Sequence, residues 1–295
     1  MTVANLRTAS VPPSSSDRPR DAELDLFGLT HPGKVRKENQ DHFLLCTVHP
    51  QVVVHGTSLP EPEHLPLRGE RLATIMLVAD GVGGSTSGAD ASQLTIESIM
   101  RYVASSLRCY HAAGSTAEGE LLDALRAATL EAHAAVCAES VARNQEGRMA
   151  TTLTLAIGVW PWMYVVQVGD SRCYHFWQGA LRQVTRDQTM AQDLVDQGAL
   201  PPERLASSPL SHVLAGAIGG REATPVVTRF EIPRGVVILL CSDGLTKHVS
   251  NAEIEEQIRG MSSSEQLCRS LLDLALERGG SDNVTVLAGR AAGTR

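Results

Sequence analysis

The chain has no basic cluster, no paired cysteine spacing and no long apolar run, and each lack removes a class of function. Its formal net charge of -7 argues against general affinity for nucleic acid or anionic lipid. Six cysteines, Cys46, Cys109, Cys137, Cys173, Cys241 and Cys268, are scattered with no CxxC, which fits a reduced cytoplasmic compartment better than a disulfide framework. The N-terminus MTVANLRTASVPPSSSDRPR lacks the apolar core of a secretion signal, and nothing reaches the ~20 apolar residues of a membrane span. Histidines are present without HExxH or a pairing with cysteine, so zinc has little support.

Familiar nucleotide and nucleophile motifs are missing too. The glycines after Asp80 lack a Walker lysine, Thr86 occupies the third glycine position of GxGxxG, and Thr86 also replaces the serine of an esterase elbow in GSTSG. Cys137 to Arg143 reads CAESVAR and matches a Cys-x5-Arg spacing. It contains no glycine and continues a helical pattern, so no loop of N–H groups forms to cradle phosphate.

What is present is a set of aspartates at the edges of apolar runs: Asp80 after IMLVA, Asp243 after VVILLCS and Asp282 before VTVLA. Asp-Gly pairs are common turn signals, which gives Asp80-Gly81 and Asp243-Gly244 an ordinary reading as tight turns. A hairpin needs a strand directly afterwards, however, and GVGGSTSGADAS after Asp80 opens a helix instead. Three acids converging from distant parts of the chain would repel one another unless a cation sat between them, and hard oxygen ligands favour magnesium or manganese.

The 295 residues, 43% hydrophobic, can bury a large core. Residues 1–22 read as a disordered tail and 23–295 as one domain. LDLFGLT and DHFLLCTV read as strands around a turn at His31 to Gly33, and 49–70 is a proline-rich excursion. Two helices follow, from Ile96 to Leu107 and from Leu121 to Ala135. Then come β-hairpins with turns at Asp170-Ser171 and Gln178-Gly179, a surface subregion at 188–220, strands at 224–231 and 235–242, a helix capped by Ser250 and Glu253, a helix through LCRSLLDLALE, and a last strand NVTVLAG. Locally paired strands interrupted by helix pairs predict an α+β architecture of antiparallel sheets with helices outside.

Taken in order, VRKENQD, LVADGVGG, ATTLTLA, VGDSR, LCSDGL and GGSDNVTV resemble the signature blocks of the metal-dependent serine/threonine protein phosphatases, the PPM or type 2C family. The resemblance spans about residues 25–290 and is closest to bacterial members. It implies a central sandwich of two antiparallel sheets flanked by paired helices, with 188–220 as a flap beside a metal cleft. It implies two Mn2+ or Mg2+ ions bridged by Asp80. The Gly81 carbonyl and a water held by Asp41 would serve one, and Asp243 and Asp282 would hold the other. Arg36 would grip the substrate phosphate, and Asp170 would help hold a third ion.

The reaction implied is hydrolysis of phosphoserine and phosphothreonine by a water activated between the two ions. The partners would be phosphorylated proteins, kinase substrates or a kinase itself, with no nucleic acid and no membrane. A cytoplasmic monomer is expected. A catalytically silent member acting as a phosphoprotein-binding module is the alternative. Three departures stand out: Gln40 and Val82 replace residues frequent in eukaryotic members, and Lys247 stands where the family commonly has an aspartate. The third metal position is therefore expected to be impaired or absent.

Overall fold

A computed structural model describes residues 18–51, 53–54, 57–58, 67–82, 87–113 and 118–291. Ten strands form two five-stranded antiparallel sheets. The first sheet takes β2 (His42–Val48), β3 (Ala73–Ala79), β6 (Leu153–Val159), β7 (Trp162–Val168) and β10 (Val226–Glu231), in the order β10-β7-β6-β3-β2. The second takes β1 (Leu24–His31), β8 (Arg172–Trp177), β9 (Ala180–Gln183), β11 (Val237–Cys241) and β12 (Val284–Ala291), in the order β1-β12-β11-β8-β9. A small ribbon of β4 (Gly81–Val82) and β5 (Ala150–Thr151) lies apart.

Central strands are continuous apolar runs because both of their faces are buried. In β3, Met76 and Val78 enter the layer between the sheets, while Ile75, Leu77 and Ala79 face the helices α1 (Ser87–Ala113) and α2 (Glu118–Ala142). In β11, Ile238 and Leu240 enter the same middle layer, and Val237, Leu239 and Cys241 turn the other way. There they meet α5 (Asn251–Arg259) and α6 (Ser264–Glu277) through Ile254, Ile258, Leu267 and Leu271. This period-two division of one run between two cores produces four layers, helix, sheet, sheet, helix, in the predicted α+β sandwich.

Helix boundaries follow the capping chemistry. Ser250 and Glu253 form a reciprocal capping box at the start of α5, and Ser263 caps α6 through the N–H of Gln266. CAESVAR lies in α2 up to Ala142, and burial pushes the Cys137 thiol up, so neither cradle nor thiolate exists there. Among the described residues no helix is long and apolar enough to cross a membrane.

Two turns, one of them expected to close a hairpin, carry the chain between sheets. β1 and β2 flank the turn at His31 to Gly33 but pair with β12 and β3 respectively. Likewise β7 and β8 flank Asp170-Ser171 but pair with β6 and β11. Gln178-Gly179 does close a hairpin, β8 to β9, with φ of 51° and 80° at the two positions. Of the stretch read as a tail, 1–17 lies outside the described residues, whereas Arg18 and Pro19 are packed and the exposed 20–22 are tied on by polar contacts. The Pro19 carbonyl accepts from Arg71 Nη2 at 2.8 Å and Asp21 pairs with Arg71 Nη1 at 2.7 Å. Half of the proline-rich excursion, including 59–66, also lies outside the described residues, and its ends meet through the bridge Gln51 to Arg68.

Candidate metal and phosphate site

Each predicted acid sits at one end of the sandwich, where strands finish or chains cross. Asp80 follows β3, Asp243 opens the one-turn helix α4 (Asp243–Thr246) after β11, Asp282 precedes β12, and Asp41 and Asp170 end the two crossings between sheets. They do converge: the charges of Asp41, Asp243, Asp170 and Asp282 all act on Asp80.

The threonine-rich block ATTLTLA secures Asp80. Its carbonyl accepts from Thr152 N and Thr151 Oγ1, both at 2.8 Å, and its N–H donates to Thr152 Oγ1 at 3.0 Å. Thr152 Oγ1 also meets Ser171 Oγ at 2.8 Å, which couples Asp80 to the crossing that carries Asp170.

Asp41 is 2% exposed, and its Oδ2 accepts from Ser242 Oγ and Thr285 Oγ1, each at 2.7 Å. Its other oxygen, Oδ1, is buried without a hydrogen-bond partner. Asn283 holds the preceding loop: its Nδ2 donates to the carbonyls of Pro32 and Glu38 at 3.0 and 2.9 Å, and its Oδ1 accepts from Gln40 N at 2.9 Å. Sequence reasoning missed Ser242, Asn283 and Thr285 as working parts, although SDG and DNVT flank the singled-out aspartates.

Neither glycine of the Asp-Gly pairs adopts the left-handed backbone of a turn; each is required by contact. A Cβ on Gly81 would lie 2.5 Å from the Gly88 carbonyl oxygen, and one on Gly244 would lie 1.9 Å from that of Asn283.

Two cations lean on the outer acids. Lys247 Nζ stands 2.6 Å from Asp243 Oδ2 and 2.7 Å from Asp282 Oδ2. Arg36 grips Asp282 with a fork, Nε to Oδ1 at 2.8 Å and Nη2 to Oδ2 at 3.0 Å. Burial alone would raise the Asp282 carboxyl, yet bonds from Lys247 and Arg36 hold it below the ordinary value.

The inner acids go the other way. Burial pushes Asp41 up to about 6 against the pull of its two hydroxyls. Burial, then the charges of Asp243 and Asp187, pushes Asp170 up to about 8. Asp80 keeps a partly exposed face, yet desolvation first and its four acidic neighbours next lift it well above a normal carboxylate.

Beside the outer acids lies a cleft of about 640 Å³, bounded by Arg36, Asp170, Asp243, Lys247 and Asp282 on one side. Thr189, Gln192 and His212 from 188–220 form the other. Arg172 and Asp187 were not singled out from sequence, yet they brace its floor through a fork at 2.9 and 2.7 Å.

Among the described residues, no group of three acids, histidines or cysteines stands close enough, as placed, to ligate one ion. The donor set nevertheless fits a hard divalent cation. It consists of oxygens and carries mutual repulsion a cation would relieve.

A pH dependence follows for metal-free protein. Asp41 and Asp170 titrate higher when folded than the ~4 of an unfolded carboxyl, so the folded chain holds protons the unfolded chain releases. The stability this provides is complete below ~4 and is lost as pH rises through about 6 and about 8. In EDTA, the melting temperature should fall by roughly 5 °C or more from pH 5.5 to 9; a flat profile would contradict these positions.

The sequence profile of the protein phosphatase 2C family matches residues 67–278, more than half of the chain. The chain belongs to that family. It is 36% identical over 215 residues to the serine/threonine protein phosphatase PstP of Mycobacterium tuberculosis, covering 73% of this chain and 40% of that one. It is 31% identical over 215 residues to the serine/threonine phosphatase stp of Listeria monocytogenes, covering 72% and 82%. The crystal structure of the M. tuberculosis phosphatase PstP superposes with a TM-score of 0.72 at 30% identity, covering 92% of this chain and 99% of that one. A structure of the PstP catalytic domain in complex with two manganese ions superposes with a TM-score of 0.69 at 29% identity, covering 92% and 99%.

Proposed function

We propose that this protein phosphatase 2C member hydrolyses phosphoserine and phosphothreonine in proteins with manganese or magnesium. The observation that carries the reading is the convergence of Asp41, Asp80, Asp170, Asp243 and Asp282 with Arg36 at one end of the sandwich. We assign Asp80 and the Gly81 carbonyl, with Asp243 and Asp282, to two divalent ions. Bound there, such ions lower the pKa of water and neutralise phosphoryl oxygens.

The chain's own residues supply the rest. Arg36 lines the cleft with a fork shaped for phosphate oxygens, and Asp41 would hold a water that serves one of the ions. Asp170 marks a third ion position that Lys247 leaves without a second acid. A silent binding module is disfavoured, because the chain retains Asp41, Asp80, Asp170, Asp243 and Asp282. The substrates we infer are phosphoproteins made by Ser/Thr kinases, or a kinase itself, in the cytoplasm. Free cysteines at Cys46, Cys137, Cys173, Cys241 and Cys268 support a reduced compartment.

The direct test is phosphate release from a phosphothreonine peptide in manganese, which EDTA should abolish. Arg36→Ala should lower kcat/KM roughly 10- to 100-fold, the worth of a charged bidentate contact. Release that persists in EDTA would defeat the metal-dependent reading.

A further inference from the structure

We propose that Lys247 is a tethered cation that competes for the Asp243 and Asp282 end of the site, so that this chain holds its second divalent ion far more weakly than its first. The inference rests on the reading that these aspartates bind divalent ions, and it concerns how one residue of this chain regulates their occupancy.

Position makes the competition direct. Lys247 ends the single turn of α4, and its N–H donates to the Asp243 carbonyl at 2.8 Å, which fixes the backbone beneath that acid. Its ammonium then bridges Asp243 Oδ2 and Asp282 Oδ2 at 2.6 and 2.7 Å, with the side chain only 22% exposed. A divalent ion would need those same oxygens at about 2.0–2.2 Å. It would thus have to displace a like charge already placed between them.

Asp282 is the more heavily engaged of the two. Arg36 takes Oδ1 through Nε and shares Oδ2 through Nη2, so both oxygens already receive cationic donors. Asp80 sits in the opposite field, with Asp41, Asp243, Asp170 and Asp282 around it. An entering cation relieves repulsion at Asp80, whereas at Asp243 and Asp282 it must replace an attraction that exists.

The test is manganese binding by calorimetry and electron paramagnetic resonance, on the full chain and on Lys247→Met. The unaltered chain should bind one ion and then a second at least about tenfold more weakly; Lys247→Met should tighten the second at least about tenfold and leave the first unchanged. Melting curves give an independent readout. In EDTA Lys247→Met should melt lower, because two neighbouring carboxylates lose their counter-ion, and manganese should raise its melting temperature by more than it raises that of the unaltered chain.

A purely structural lysine would lower the melting temperature and leave second-ion affinity the same, which overturns the proposal. If both proteins bind two ions with equal affinities, the competition is refuted while the metal reading survives. If neither binds manganese, both fall together. Should Lys247→Met fail to fold, Lys247→Gln removes the charge at similar length, and the same two outcomes decide.

Discussion

Asp80→Asn should abolish phosphopeptide hydrolysis in manganese while making the metal-free protein more stable. The two effects have one cause. Asp80 is lifted by desolvation and then by Asp41, Asp243, Asp170 and Asp282, so its charge is crowded by four other acids. An amide of the same shape removes that repulsion, and the melting temperature in EDTA at pH 8 should rise by a few degrees. Turnover should fall at least ~10³-fold, since metal stabilisation of the transition state contributes several kcal/mol. A merely structural Asp80 would give the reverse pattern, with lower stability and retained hydrolysis.

That contrast reflects what the sequence disclosed and what it hid. Asp80, Asp243 and Asp282 were legible because strands buried on both faces are unbroken apolar runs, and an acid at the end of such a run stands out. The helices were legible for a similar local reason, with Ser250 and Glu253 marking the start of α5. Partner choice between strands is not local. His31 to Gly33 and Asp170-Ser171 carry ordinary turn chemistry, yet both are crossings between sheets, because β1 and β8 find their partners in β12 and β11. The support of Asp41 was hidden for the same reason. Ser242 and Thr285 are distant in the chain and meet it only because β11 and β12 lie side by side in the fold. Lys247 was visible as a departure from the family pattern; its bridge between Asp243 and Asp282 required coordinates.

Gly244→Ala should be among the most damaging single-methyl additions in the chain. The added Cβ would fall 1.9 Å from the Asn283 carbonyl oxygen and 2.8 Å from its carbonyl carbon, well inside van der Waals contact. Both obstacles are backbone, so no side chain can rotate away. The strand end carrying Asp243 and the segment carrying Asp282 must separate, and Asn283 is itself tied to the Pro32 and Glu38 carbonyls that hold the Arg36 loop. We expect a loss of about 3 kcal/mol or more, the upper range of overpacking, seen as a melting temperature lower by roughly 6–12 °C. Catalysis should fail even in the folded fraction, because Asp243, Asp282 and Arg36 lose register together. The ordinary reading of Asp-Gly as a turn makes a different forecast. There the glycine would matter through a left-handed backbone, and Gly244→Asn, which tolerates that conformation, would rescue it. Here Asn adds the same Cβ against the same carbonyl, so Gly244→Asn should be at least as harmful as Gly244→Ala; rescue by Asn would show that conformation, and not contact, is what Gly244 supplies.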